Sequence, residues 1–74
     1  MRRCWVARDK AGDLTIFRNK PVKEKYGCWI DKKYDWFVFI PDGFLPFGIE
    51  PEWEDEEPTE IEITIKLAEK EDEE

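Results

Sequence analysis

Residues 59–67 alternate without a break. Ile61, Ile63, Ile65 and Leu67 fall on one side of an extended chain, and Glu60, Glu62, Thr64 and Lys66 fall on the other. A period of two is the pattern of a half-buried β-strand, and with isoleucine at three of the four inward places it is hard to read as a helix. This segment commits the chain to β structure.

The remaining segments supply neighbours for it. Residues 4–8 (Cys4-Trp5-Val6-Ala7-Arg8) read as a strand, because β-branched and aromatic residues fit a pleated, half-buried surface. Residues 9–13 read as a hairpin loop, in which Asp9 starts the turn and Gly12 takes the left-handed conformation. Leu14-Thr15-Ile16-Phe17 then returns antiparallel. Pro21 has no N–H to give a ladder and ends that strand. Residues 22–27 are polar and basic and read as a loop or irregular edge. Cys28-Trp29-Ile30 and residues 34–40 flank Asp31-Lys32-Lys33, which predicts a second hairpin. Residues 36–40 (Trp36-Phe37-Val38-Phe39-Ile40) are apolar on both faces, as in a central strand covered on both sides. The cover would come from a partner subunit or from residues 44–53 folding back over the sheet. Pro46, Gly48 and Pro51 exclude a regular element there, and Trp53 anchors that loop amid its acidic neighbours.

The expected fold is all-β: a small antiparallel sheet, or a partly curled barrel-like sheet, of four to five strands with little or no helix. Residues 1–67 form a single β domain and 68–74 an acidic flexible tail. A chain of 74 residues buries only about 60% of its unfolded surface, so aliphatic packing alone leaves a thin margin. Its eleven aromatic residues are therefore expected to lie mostly in the core, each burying about 150–250 Å². Those left outside would form a patch that packs on another chain.

Charge is segregated along the chain. Residues 1–33 carry ten basic and four acidic groups, whereas residues 34–74 carry two basic and fifteen acidic. Pairing the last strand beside an N-terminal strand would bring opposite charges together across the sheet. The net charge is −7, which repels phosphate and disfavours nucleic acid as a ligand.

Little catalytic chemistry is available. The chain has no histidine and no serine, so the familiar nucleophile–base triads and dyads cannot be built. The four glycines are isolated and form no phosphate loop. Cys4 and Cys28, without histidine, fall short of the four ligands of a structural zinc site. The acidic run at residues 50–57 lacks the spacing of a calcium loop. No enzyme activity, cofactor or dedicated metal site is expected. No charged-then-apolar leader is visible, and no apolar run is long enough to span a bilayer. A cytoplasmic location with both cysteines as free thiols is the expectation.

Two functional readings follow. The first is a small non-catalytic protein-interaction module, with self-association as a homodimer included, using Trp29, Trp36, Phe39, Phe44 and Phe47 as its contact surface. The second is a nucleic-acid-associated protein. It would bind through a basic patch of Arg2, Arg3, Arg8, Arg18, Lys20, Lys23, Lys25, Lys32 and Lys33, or use its acidic half to mimic DNA.

Several segments together resemble a family of small uncharacterised proteins of gut Bacteroides-type bacteria and their phages. The matching residues are Trp5-Val6-Ala7-Arg8-Asp9-Lys10, Gly12, Leu14, Lys20-Pro21, Ile40-Pro41-Asp42, Phe44-Leu45-Pro46, Trp53-Glu54-Asp55 and the 58–65 strand. Phe47-Gly48-Ile49 and the longer acidic end depart from that pattern. The resemblance implies a compact β-rich domain and carries no functional residues across. A phage origin would favour the partner-binding reading, since many small phage proteins act by occupying host proteins.

Overall fold

The computed structural model describes residues 2–64 and residue 67. Six strands follow in chain order: β1 (Arg2–Arg8), β2 (Leu14–Phe17), β3 (Val22–Glu24), β4 (Cys28–Ile30), β5 (Phe37–Ile40) and β6 (Thr59–Ile63). Four of them make an open sheet in the order β5-β2-β1-β6, and β3 and β4 make a second, two-stranded sheet. Every pairing is antiparallel. The all-β expectation holds, although the six strands divide between two sheets and close no barrel. Among the described residues, no helix is long and apolar enough to cross a membrane.

β1 and β2 form the expected hairpin, with Val6 opposite Ile16 and Arg8 opposite Leu14. The Gly12 amide donates to the Asp9 carbonyl, and the Asp13 amide to the Asp9 carboxylate, each at 3.0 Å. Gly12 sits at φ +103°, a conformation that a residue without Cβ takes at no steric cost.

β6 lies on the other side of β1, and the segregated charges meet there. Arg3 Nη1 is 3.2 Å from Glu60 Oε2, and its Nε is 3.7 Å from Glu62 Oε2. These groups are exposed, so each pair contributes no more than about 1 kcal/mol. They favour this neighbour without holding the fold together. β6 is shorter than the alternation suggests. Ile63 pairs with Arg2 at the last described position of the β1-β6 ladder, and Leu67 is exposed rather than inward. Ile65, Lys66 and the acidic tail at 68–74 lie outside the described residues.

Cross-strand partners share a face, so the register sorts the core into two layers. Cys4, Val6, Leu14 and Ile16 form one, with Ile40, Leu45, Ile61 and Ile63 packed against them. Ala7, Phe17 and Trp29 form the other, with Trp53 against them. The β3-β4 hairpin covers this second face. The Trp29 indole N–H donates to the Arg8 carbonyl at 3.0 Å, and Trp53 meets Trp29 edge-on at 6.3 Å. Lys23 Nζ lies 4.3 Å from the centroid of the Trp53 ring. Trp53 is thus the anchor of its loop, and Leu45 is the part of residues 44–53 that reaches the first layer.

The strands around Asp31 differ from expectation. Residues 22–27 hold strand β3 and a tight turn, closed by the Gly27 amide on the Glu24 carbonyl at 3.2 Å. β4 pairs with β3, and β5 pairs with β2 rather than with β4. Residues 31–35 are therefore a corner between two sheets and not a hairpin turn. The Asp31 carboxylate builds that corner. Its oxygens accept from the Lys33 amide at 2.9 Å, the Asn19 side chain at 3.0 Å and the Asp35 amide at 3.3 Å. Tyr34 takes φ +55° to complete the bend.

Most of the rings also lie elsewhere than expected. Only Phe17 and Trp29 are buried, Trp5 and Trp53 are half-buried, and the other seven are exposed. The reason is topological. Interior places belong to the two central strands, where all four residues of β2 are buried, and these places are filled mainly by aliphatic residues. The exposed rings sit on β5, in the turns and in the loop at residues 41–58. Cys4 and Cys28 are both free thiols.

Candidate functional site

Among the described residues, the four-stranded sheet has two open edges of opposite character. The β6 edge presents Glu60 and Glu62, charges that discourage a further strand. The β5 edge runs from Trp36 to Ile40 with no charged residue at all. Far from being central, β5 is an outer strand: Phe37 is 53%, Val38 50% and Phe39 66% exposed, and Trp36 is exposed beside them.

The backbone of this edge is equally open. The Arg18 amide donates to the Trp36 carbonyl at 3.3 Å, which fixes the alternation of the antiparallel ladder. Trp36, Val38 and Ile40 turn their polar groups toward β2, whereas Phe37 and Phe39 turn theirs outward. The next outward donors along the chain are spent or missing. The Asp35 amide donates to Asp31, and Pro41 has no N–H. The free ladder is therefore two residues long.

Each face of β5 borders a groove. Phe37 and Phe39 stand on the face of Phe17, with ring centroids 6.2 Å apart for Phe17 and Phe37 and 5.6 Å for Phe37 and Phe39. They line a groove of about 390 Å³ between the sheet and the β3-β4 hairpin, together with Ala7 and Thr15 of the sheet and Trp29 of the hairpin. On the opposite face Trp36 and Val38 line a groove of about 540 Å³ with Phe44, Ile61 and Ile63. Asp31, at the end of the first groove, is buried. Burial alone would raise its pKa. Hydrogen bonds from the Lys33 amide, the Asn19 side chain and the Asp35 amide, with the charge of Lys33, outweigh that effect and hold it below the ordinary value. With three of about four acceptor positions taken, it organises the corner.

Of the five residues read as a contact surface, Trp36 and Phe39 flank the open edge, and Phe44 shares a groove with Trp36. Phe47 is fully exposed but borders a separate depression beside Arg8 and Asp42. Trp29 is 6% exposed and lies in the core. Phe37 and Val38 complete the surface. Both stood in the apolar run of residues 36–40, whose two-sided character was the available signal.

The basic residues are dispersed among acidic and aromatic neighbours. Arg3 meets Glu60 and Glu62, Arg18 meets Asp35 at 3.4 Å, and Lys20 meets Glu57 at 3.0 Å. Lys23 lies over Trp29 and Trp53, and Lys25 lies over Tyr26. Arg8 clamps the loop at residues 41–58, donating from Nε to the Pro51 carbonyl at 2.9 Å and from Nη1 to Asp42 at 3.0 Å. Arg2, Lys32 and Lys33 are exposed. Compared with protein-family models, curated proteins and solved structures, the chain matches none.

Proposed function

We propose that the chain is a non-catalytic protein-interaction module that docks its partner on the β5 edge by strand addition. One observation carries this reading: the edge combines outward backbone groups at Phe37 and Phe39 with exposed apolar side chains on both faces. Strand addition uses those two features together, main-chain hydrogen bonds for affinity and alternate side chains for specificity. The charged β6 edge of the same sheet adds support, since protection given to one edge and withheld from the other fits an edge kept for use.

The lack of histidine and serine supports a binding role over a catalytic one. The free thiols of Cys4 and Cys28 fit a reducing compartment such as the cytoplasm. The engagement of Arg3, Arg8, Arg18 and Lys20 with carboxylates favours a protein partner over nucleic acid.

A photo-crosslinking phenylalanine analogue placed at position 39 tests the reading in living cells, with position 26, exposed on the β3-β4 turn, as the control. Protein adducts should form from position 39 well above those from position 26. Equal or absent crosslinking from position 39 overturns the reading.

A further inference from the structure

We infer that the partner strand on the β5 edge is β5 of a second copy of this chain, joined antiparallel about a two-fold axis that passes between the two Val38 residues. This inference rests on the interaction reading above and names its partner.

The register follows from which backbone groups are free. Asp35 and Pro41 close the outward ladder at its two ends, which leaves Phe37 and Phe39. Two such residues satisfy each other in one symmetric way: Phe37 opposite the partner's Phe39, and Phe39 opposite the partner's Phe37. Each opposed pair exchanges two N–H···O bonds, so all four outward donors and acceptors of each copy are used.

The side chains agree with that register. A two-fold axis perpendicular to the sheet keeps like faces together, so Phe37 and Phe39 of both copies gather on one face beside Phe17. On the other face Val38 meets the partner's Val38, and Trp36 stands opposite the partner's Ile40. No charged residue lies within the paired interval, so symmetry brings no like charges into direct opposition. At about 150–250 Å² for each whole aromatic side chain, the exposed fractions of Tyr34, Trp36, Phe37 and Phe39 amount to roughly 370–610 Å² per copy, to which half-exposed Val38 adds. Two copies then bury on the order of 1,000 Å², near the lower limit for a specific interface and in the range of weak, reversible ones. A closed two-fold contact also leaves no apolar edge for further addition.

Ionic strength separates this partner from others. Each copy carries −7, so the copies repel at long range and salt should tighten the dimer. Binding to a basic partner would weaken instead.

Sedimentation velocity of the full chain, from low to high micromolar concentration and at two salt levels, is the test. The expected result is a reversible monomer–dimer equilibrium that strengthens with salt. Phe39→Lys should weaken it at least tenfold while leaving the far-ultraviolet circular dichroism unchanged. Should that variant fail to fold, amide exchange in the unaltered chain gives the same answer: the Phe37 and Phe39 amides must slow as concentration rises. A chain that stays monomeric throughout, or amides indifferent to concentration, overturns self-pairing. Crosslinks from position 39 to other proteins in a monomeric chain would then leave the interaction reading intact, whereas a monomer without such crosslinks defeats both.

Discussion

Phe17 and Phe37 face one another across the β2-β5 pair, and the boundary between the core and the open edge runs between their rings. Phe17 is 5% exposed and Phe37 53%. Two phenylalanines in contact thus have opposite duties, one cohesive and one available.

Their truncations should differ accordingly. Phe17→Ala removes a buried ring from the second core layer and should cost about 3–5 kcal/mol, most of the stability expected of so small a domain. Phe37→Ala loses a cross-strand contact of about 1 kcal/mol or less. Urea denaturation of the two variants measures the contrast, and similar midpoints would place Phe37 in the core.

The Trp29 indole ties the hairpin to the main sheet through one hydrogen bond to the Arg8 carbonyl. Trp29→Phe keeps most of the ring packing but leaves that carbonyl unpaired, which should cost about 1–3 kcal/mol. The loss appears as a lower urea midpoint with little change in slope.

Arg8 and Asp42 form an ion pair of unequal partners. Arg8 is largely shielded and also donates to the carbonyls of Gly12 and Pro51, whereas Asp42 is mostly exposed. Asp42→Ala should therefore change stability by no more than about 0.5 kcal/mol. Arg8→Ala, which frees two backbone acceptors, should cost about 2 kcal/mol or more. Thermal melts of the two variants distinguish a backbone clamp from a simple charge pair.

Acid stability should report on Asp31. Its pKa is lowered in the folded chain, so its contribution is fully present above the unfolded value of 3.8. That contribution is lost as pH falls from there through the lower folded value. Asp31→Asn should be less stable than the unaltered chain at neutral pH, with the gap narrowing below about pH 4. A gap that stays constant into acid would remove Asp31 from its role at the corner.

The sequence made some of this architecture readable for clear physical reasons. The β1-β2 hairpin has local signals in Asp9 and Gly12, and β6 has a strict alternation. Arg3 beside Glu60 and Glu62 follows from charges segregated between the ends of the chain. The neighbour of β5 was not readable in the same way. A segment apolar on both faces has no preferred side, so its pattern does not choose between pairing with β4 and pairing with β2. Asp31-Lys32-Lys33 has hairpin-like composition, and only the three hydrogen bonds gathered by Asp31 make it a corner. β3 carries lysine and glutamate without alternation and gave no strand signal. The contact surface was half legible: ring content marked Trp36 and Phe39, but only topology separates them from Trp29.

Site-resolved amide hydrogen exchange on dilute protein tests most directly the claim that β5 is an open edge. Protection should alternate along the strand, with Val38 and Ile40 held by bonds to β2 and Phe37 and Phe39 exchanging freely. Uniform protection of all four amides at low concentration would contradict it, because β5 would then be a strand already covered on both sides.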